Sequence, residues 1–146
     1  MPFILGIDCG LTVSKVVVFD TSGRPVATAR RRVSQIIPEP RHVERDMIEL
    51  WHITAITIQQ ALQEANCDPA DVLAISATAH GDGLYLLDKN KRPLRNGILS
   101  LDSRAANIVS AWEEDKLPEE ALKLSGQVPH ASAPSAILAW IKIYEP

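Results

Sequence analysis

The 146-residue sequence has the size and composition of one globular domain. Its formal net charge is -3 and 46% of its residues are hydrophobic, enough to bury roughly 70% of the unfolded surface. The mild acidity gives no support for a nucleic-acid partner, and the first apolar stretch, interrupted by Asp8, is too short for a membrane span or signal peptide. Two cysteines without a CxxC pair favour a reduced, cytoplasmic compartment.

The first twenty residues predict a β-hairpin with a polar first turn. Apolar runs at 3–7 and 16–19 are typical of buried strands. The residues between them include Asp8, Gly10, Thr12, Ser14 and Lys15. Glycine lets the backbone approach a ligand, hydroxyl and backbone N–H groups can donate to phosphate oxygens, and a carboxylate can hold hydrated Mg²⁺. The pattern favours a phosphate-binding turn, with an ordinary polar hairpin turn as the alternative.

The following residues predict a mixed α/β architecture. A third strand over 25–33 would complete an antiparallel meander, and Asp46 would cap a helix over about 47–65. The apolar run 72–78 predicts a central strand, parallel to the first because the helix supplies the crossover. Beyond it we expect a hairpin of strands 84–87 and 93–101, then helices over about 103–114 (capped by Asp102), 117–124 and 135–144.

The turn-rich loop at 79–83 is the second candidate for a binding site. It follows the predicted fourth strand, and open α/β sheets bind ligands beyond the carboxyl ends of their strands. The basic run Arg30–Arg32 is expected to be a solvated strand end, and strand alternation should point Cys9 away from Asp8. Three tryptophans on apolar helical faces are expected in the core: Trp51, Trp112 and Trp140. Three histidines are too dispersed to predict a metal site: His42, His52 and His130.

The order and spacing of these motifs resemble the FGGY carbohydrate kinases over nearly the whole chain. That family opens with GIDxGTxxxK/R, then an aspartate and a glycine, matched by Gly6–Lys15, Asp20 and Gly23. The later markers are an acid before a tryptophan-bearing helix, a strand with a sugar-contacting loop, and the pattern xLLDxxxxPLxxxIxxxDxR. They are matched by Glu44–Asp46 with Trp51, by 75–83, and by 86–104. The HGDG loop and the LDSRA run most resemble the L-xylulose kinase and erythritol kinase branch.

The resemblance implies an α/β fold, the first lobe of an actin-like (ribonuclease H-like) ATPase. The activity would be ATP-dependent phosphorylation of a sugar or polyol, such as the ketopentose xylulose or the tetritol erythritol. Asp8 would serve Mg²⁺ and the phosphates of ATP, and Gly10, Thr12, Ser14 and Lys15 would line the turn. The sugar would contact Ala79, His80, Gly81, Asp82, Asp102 and Arg104. The alternatives are that His80 is a surface residue, that Asp102 only caps its helix and that Arg104 only pairs with a nearby acid. Asp8, His80 and Asp102 would face one cleft, and a homodimer is an expected assembly.

The sequence also departs from the family pattern. Leu11 replaces a threonine in the turn, and Ala79 replaces a larger contacting side chain, which leaves the sugar open. The family's general base and adenine-binding lobe have no counterpart before Pro146. Residues 1–146 are therefore expected to be the N-terminal part of the first lobe, from a truncated gene product or a longer protein, and inactive alone. The alternatives are a non-catalytic sugar- or nucleotide-binding module and an assembly module that pairs through its sheet edge.

Overall fold

The computed structural model describes residues 2–146 and divides into two compact units. One unit runs up to Ser34 and resumes at Asp46–His80; the other comprises Gln35–Arg45 and Gly81–Pro146. In chain order the elements are β1 (Phe3–Cys9), β2 (Val13–Asp20), β3 (Pro25–Arg32), β4 (Glu44–Arg45), α1 (Met47–Glu64), a 3₁₀ turn (Pro69–Asp71), β5 (Val72–Ala79), β6 (Gly97–Ile98), α2 (Ala106–Glu114), α3 (Leu117–Ser125) and α4 (Pro134–Tyr144).

The first unit is a four-stranded mixed sheet in the order β3-β2-β1-β5. The first three strands form the predicted antiparallel meander, and β5 pairs with β1 in parallel. The crossover is α1, which Asp46 caps by accepting hydrogen bonds from the N–H groups of Ile48 at 2.7 Å and Glu49 at 3.1 Å. The predicted topology of this sheet is confirmed.

Strand alternation gives this sheet one face that packs on α1. The core of the unit is formed by Phe3, Leu5, Val16, Val18, Ala29, Ala61 and Cys67, with Ile58 and Leu62 of α1 packed against it. The residues between these in the strands point to the opposite side, because successive side chains alternate. We call that opposite side the outer face; it carries Asp8, Lys15 and Arg30, which are register partners on β1, β2 and β3.

Two predictions about burial in this unit are wrong. β5 was expected to be a central strand, but it lies at the sheet edge, and the side chains of Leu73 and Ile75 are 67% and 62% exposed. Trp51 was expected in the core, but it is 72% exposed. The apolar residues of α1 occupy a wider part of the helix surface than the part that the sheet covers. Trp51 lies on the part that the sheet leaves exposed.

The second unit contains a two-stranded antiparallel sheet, β4-β6, and three helices. Its core joins Ala105, Val109 and Ala136, with Trp112 and Trp140 packed against them as predicted. The expected hairpin strands at 84–87 and 93–101 reduce to isolated bridges at Leu84–Ile98 and Leu87–Pro93. Proline cannot donate to a ladder, which limits regular pairing there.

Two helix boundaries differ from the predictions. α2 begins at Ala106 rather than at about residue 103, and Asp102 does not cap it. α3 ends at Ser125, one residue past the predicted end, and Gly126, with a φ of 72°, forms the left-handed C-cap that glycine favours. None of the helices in residues 2–146 has both the length and the apolarity needed to cross a bilayer.

Candidate functional site

The turn between β1 and β2 has the geometry of a compact polar loop. The Gly10 N–H donates to the Val13 carbonyl oxygen at 3.0 Å and closes the turn. A Cβ on Gly10 would lie 2.9 Å from that same oxygen, so the turn requires glycine. The Thr12 carbonyl oxygen accepts from the Val33 N–H at 3.0 Å, which ties the turn to the end of β3. The Gly10 N–H is thus committed to the turn itself.

The two charged residues predicted for this turn lie together. Asp8 and Lys15 are register partners on the outer face, with 4.0 Å between the Asp8 carboxylate and Lys15 Nζ. Their side chains are 45% and 47% exposed, so both are accessible to a ligand. An exposed pair at this distance is weak. Lys15 can therefore exchange Asp8 for a phosphate, and Asp8 can exchange Lys15 for a metal ion, at little cost in free energy. Thr12 is also exposed.

Ser14 corrects the predicted set. Its side chain is fully buried, on the face of the sheet that packs against α1, and its hydroxyl lies 3.1 Å from Thr54 Oγ1. Cys9 points the same way, with Sγ 3.8 Å from Thr54 Oγ1, as predicted from alternation. Because the side-chain period of a strand is two, Ser14 cannot share a face with Lys15. We remove its hydroxyl from the phosphate-binding set and assign it to helix–sheet packing.

The predicted sugar loop begins beside this turn. Cys9 and Ala79 are parallel register partners at the carboxyl ends of β1 and β5. The next N–H along, that of His80, donates to the Cys9 carbonyl oxygen at 3.4 Å. Ala79 is exposed and His80 is half-buried. Within the first unit, the structure therefore brings the start of the loop next to the turn between β1 and β2, at the carboxyl end of β5 where it was predicted.

The continuation of the loop belongs to the second unit. Asp82 has a φ of 59° and is 48% exposed at its side chain, which lies 3.5 Å from His130 Nε2. His130 Nδ1 in turn lies 3.2 Å from Ser132 Oγ. His130 was not predicted as a site residue, and no local signal indicates it because its partner is distant in the chain. The loop thus presents an accessible acid–imidazole pair, alongside the exposed Gly81.

Asp102 and Arg104 were predicted to contact the sugar, and their burial corrects this. Their side chains are 0% and 1% exposed. The Arg104 guanidinium donates to Asp102 Oδ2 at 2.9 Å and to Glu44 Oε1 at 2.7 Å, and it lies 5.1 Å from the Trp140 ring centre. Asp102 also accepts from the N–H of Val43 at 2.7 Å. Both oxygens of Asp102 and the Nε and Nη2 groups of Arg104 are engaged by protein partners, which indicates that the two residues stabilise the second unit.

Electrostatics keep this buried cluster ionised. Burial opposes ionisation of Glu44, but hydrogen bonds from Arg104 and Asn96 and the positive charges of Arg104 and Arg95 outweigh it and lower the pKa of Glu44. Burial likewise opposes the charge on Arg104, and its bonds to Asp102 and Glu44 outweigh it and raise the pKa of Arg104. A second short-range pair joins Arg95 to Glu145. The cluster is a set of matched charges rather than a binding pocket.

The donor chemistry at Asp8 fits Mg²⁺ that arrives with phosphate. Mg²⁺ takes oxygen ligands, keeps several waters, and is commonly held by one or two carboxylates plus substrate phosphates. In the described part of the chain no three His, Cys, Asp or Glu side chains are grouped as metal ligands. Asp8 offers one accessible carboxylate, as expected for a metal shared with a phosphate ligand.

Comparisons with known proteins agree with this architecture. The model of the FGGY family of carbohydrate kinases, N-terminal domain, matches residues 3–146. The chain is 38% identical over 146 residues to a probable L-xylulose kinase of Pasteurella multocida, covering 100% of this chain and 30% of that protein. It is 39% identical over 142 residues to the L-xylulose/3-keto-L-gulonate kinase of Escherichia coli, covering 97% and 28%.

A solved structure shows the same fold. The ligand-bound xylulose kinase from Lactobacillus acidophilus superposes with a TM-score of 0.91 at 25% identity, over 99% of this chain and 29% of that chain. The actin-like ATPase fold expected from the motifs is confirmed. The chain spans about three tenths of the length of the relatives it matches. By the match over residues 3–146, the chain belongs to the FGGY family of carbohydrate kinases and corresponds to its N-terminal domain.

Proposed function

We propose that the full-length protein transfers a phosphoryl group from ATP to a hydroxyl of a ketopentose of the xylulose type. The observation that carries this proposal is the pairing of an accessible Asp8 with Lys15 at a glycine turn, beside the start of the loop that follows β5. Family membership supplies the reaction class, and the names of the relatives supply the sugar class. A tetritol such as erythritol is the second substrate to test.

The chemistry requires positioning and charge neutralisation more than covalent help from the protein. Mg²⁺, when bound with ATP, neutralises phosphate charge. Asp8 would hold that ion, and Lys15 would pair with a phosphate oxygen in place of Asp8. Gly10 permits the tight turn, in which a Cβ would lie 2.9 Å from the Val13 carbonyl oxygen.

On the sugar side, we assign hydroxyl recognition to the loop after β5. Asp82 can accept and His130 can donate or accept hydrogen bonds, and both are about half exposed. Ala79 and His80, at the end of β5, stay predicted sugar contacts. Short polar side chains on a supported loop suit a ligand covered with hydroxyl groups.

The direct test is ADP release by the full-length protein in a coupled assay. L-xylulose, D-xylulose, erythritol and glycerol would each be offered with Mg²⁺ and ATP. We expect sugar-dependent turnover, with the highest kcat/KM for a xylulose. Asp8→Ala should lower turnover by at least about a thousandfold, since removal of one preorganised electrostatic group costs 10²–10³ and the metal would be lost as well.

A matched control separates chemistry from folding. Glu64→Ala removes an exposed carboxylate of the same unit whose described partner is Gln60, and turnover should stay within about twofold. Circular dichroism should be unchanged for both variants, because neither carboxylate is in the core. Full activity in Asp8→Ala, or no ADP release with any of the four acceptors, would overturn the proposal. The 146-residue chain alone should release no ADP in response to sugar.

A further inference from the structure

The basic run at the end of β3 is exposed, as predicted, but its three arginines do not share one face of the sheet. Arg31 points toward α1, where its Nη2 donates to Gln60 Oε1 at 3.0 Å. Arg30 and Arg32, one residue to either side, therefore point to the outer face. Arg30 is the register partner of Lys15, and Arg32 is the register partner of Val13. The alternation of the strand thus sorts three consecutive arginines onto two faces.

The outer-face arginines continue the row of charges that begins at the phosphate turn. Asp8, Lys15 and Arg30 occupy matching positions on three adjacent strands, about 4.8 Å apart from strand to strand. Arg32 lies two residues nearer than Arg30 to the turn between β1 and β2, about 7 Å along β3. Val33, which follows β3, donates its N–H to the Thr12 carbonyl oxygen in that turn. Three cations and one carboxylate therefore share this end of the outer face.

This row is accessible and short of counter-charge. Lys15, Arg30 and Arg32 are exposed, and within residues 2–146 no ion pair or hydrogen bond engages the guanidinium groups of Arg30 and Arg32. With Val13 and Arg31, these two arginines border a shallow groove of about 330 Å³ at the end of β3; of the three guanidinium groups, that of Arg31 is engaged by Gln60. Like charges this close repel one another. Because the strand register holds the backbone, side-chain rotation relieves only part of that repulsion, and a bound anion would relieve the rest.

We infer that Arg30 and Arg32 form an anion-binding site on the outer face, beside Lys15, that takes a linear chain of phosphate groups. A guanidinium forks onto two phosphate oxygens, which makes arginine suited to phosphate recognition. Cations repeated at 5–7 Å intervals match a ligand with several linked charges better than a single small anion. Such a chain occurs in a nucleoside triphosphate and in free inorganic polyphosphate, and both present the same chemistry to this site.

The neighbouring arginine provides a matched control. Arg30→Gln, Arg32→Gln and Arg31→Gln each remove one positive charge from the same strand, but Arg31→Gln removes it from the opposite face. Binding of inorganic tripolyphosphate to the 146-residue chain would be measured by titration calorimetry at low ionic strength, with circular dichroism to verify the fold. The assay involves no sugar and no turnover. A negative result therefore leaves the proposed kinase activity untouched, and a catalytically inactive chain can still bind tripolyphosphate.

We expect Arg30→Gln and Arg32→Gln each to weaken tripolyphosphate binding about tenfold, since a hydrogen bond to a charged group contributes enough for that factor. Arg31→Gln should weaken it less than twofold. ATP is titrated in parallel: equal losses for ATP indicate a nucleotide's phosphate chain as the ligand, and losses confined to tripolyphosphate indicate free polyphosphate. Equal losses of affinity in all three variants would mean that binding follows net charge alone, and would overturn the inference. Unchanged affinity in Arg30→Gln and Arg32→Gln would also overturn it, and so would the absence of binding by the unaltered chain.

Discussion

Removal of the Arg104 side chain should destabilise the second unit severely. The guanidinium is 1% exposed and bonds two carboxylates, Asp102 at 0% and Glu44 at 10% exposure. Arg104→Met keeps most of the side-chain volume but leaves Asp102 without its cation and Glu44 with Arg95 as its remaining described cation. Breaking a buried pair by removing one partner costs about 3–5 kcal/mol, and the lost contact with Trp140 adds about 1 kcal/mol. We therefore expect a loss of about 4–6 kcal/mol, a large share of a typical domain's stability.

The assay is urea unfolding at pH 7 followed by tryptophan fluorescence and by circular dichroism. Trp112 and Trp140 report on the second unit, where both pack on the core. Arg104→Lys retains a charge but cannot fork onto Asp102, so its loss should fall between those of the unaltered chain and Arg104→Met. Arg92→Met, an exposed arginine in the same unit, should change stability by less than about 0.5 kcal/mol. A loss below about 1 kcal/mol for Arg104→Met would refute the view that these carboxylates depend on a buried arginine.

Two further predictions concern turns. Gly83→Ala should lower the free energy of unfolding in urea by at least about 2 kcal/mol, because φ is +77° and the new Cβ would lie 2.4 Å from the Ile98 carbonyl oxygen. Gly126→Ala, with φ +72° and no atom within 4 Å of the new Cβ, should lower it by only about 1 kcal/mol. Equal losses would contradict the role of the clash at Gly83. Hydrogen bonds, led by that from the Ser22 hydroxyl, lower the pKa of Asp20 from 3.8 to about 2. The ionised carboxylate therefore adds stability above pH 4 that is lost as the pH falls through 2. The difference in urea midpoint between Asp20→Asn and the unaltered chain should shrink over that range, and a constant difference would contradict this prediction.

The candidate site was predictable in part because its signals are local. The turn that holds Asp8 and Gly10 is defined by residues a few positions apart, and so is the hairpin that brings Lys15 opposite Asp8. The same alternation that predicted the direction of Cys9 also buries Ser14. That residue was misassigned because its hydroxyl was judged by type, whereas the period of the strand determines which side chains share a surface.

Other residues could not be assigned from local pattern at all. The motif around Arg104 predicts a polar residue that contacts a sugar. Its guanidinium is instead buried against Glu44, which is remote in the chain. His130 becomes a site candidate only through its contact with Asp82. Trp51 has the same apolar character as Trp140, and only the extent of the neighbouring surface separates the exposed one from the packed one.

The sequence by itself determined the meander and α1 of the first unit, the parallel return of β5, the three helices of the second unit and the two turns that carry the candidate chemistry. These features follow from hydrophobic periodicity, capping and turn residues, whose free energies depend on neighbours within a few positions. Only the tertiary structure decided which polar residues are exposed and which are buried in the interior, as with Lys15 against Ser14 and Asp82 against Asp102. Burial and charge pairing depend on segments that are distant in sequence and meet only when the chain has folded.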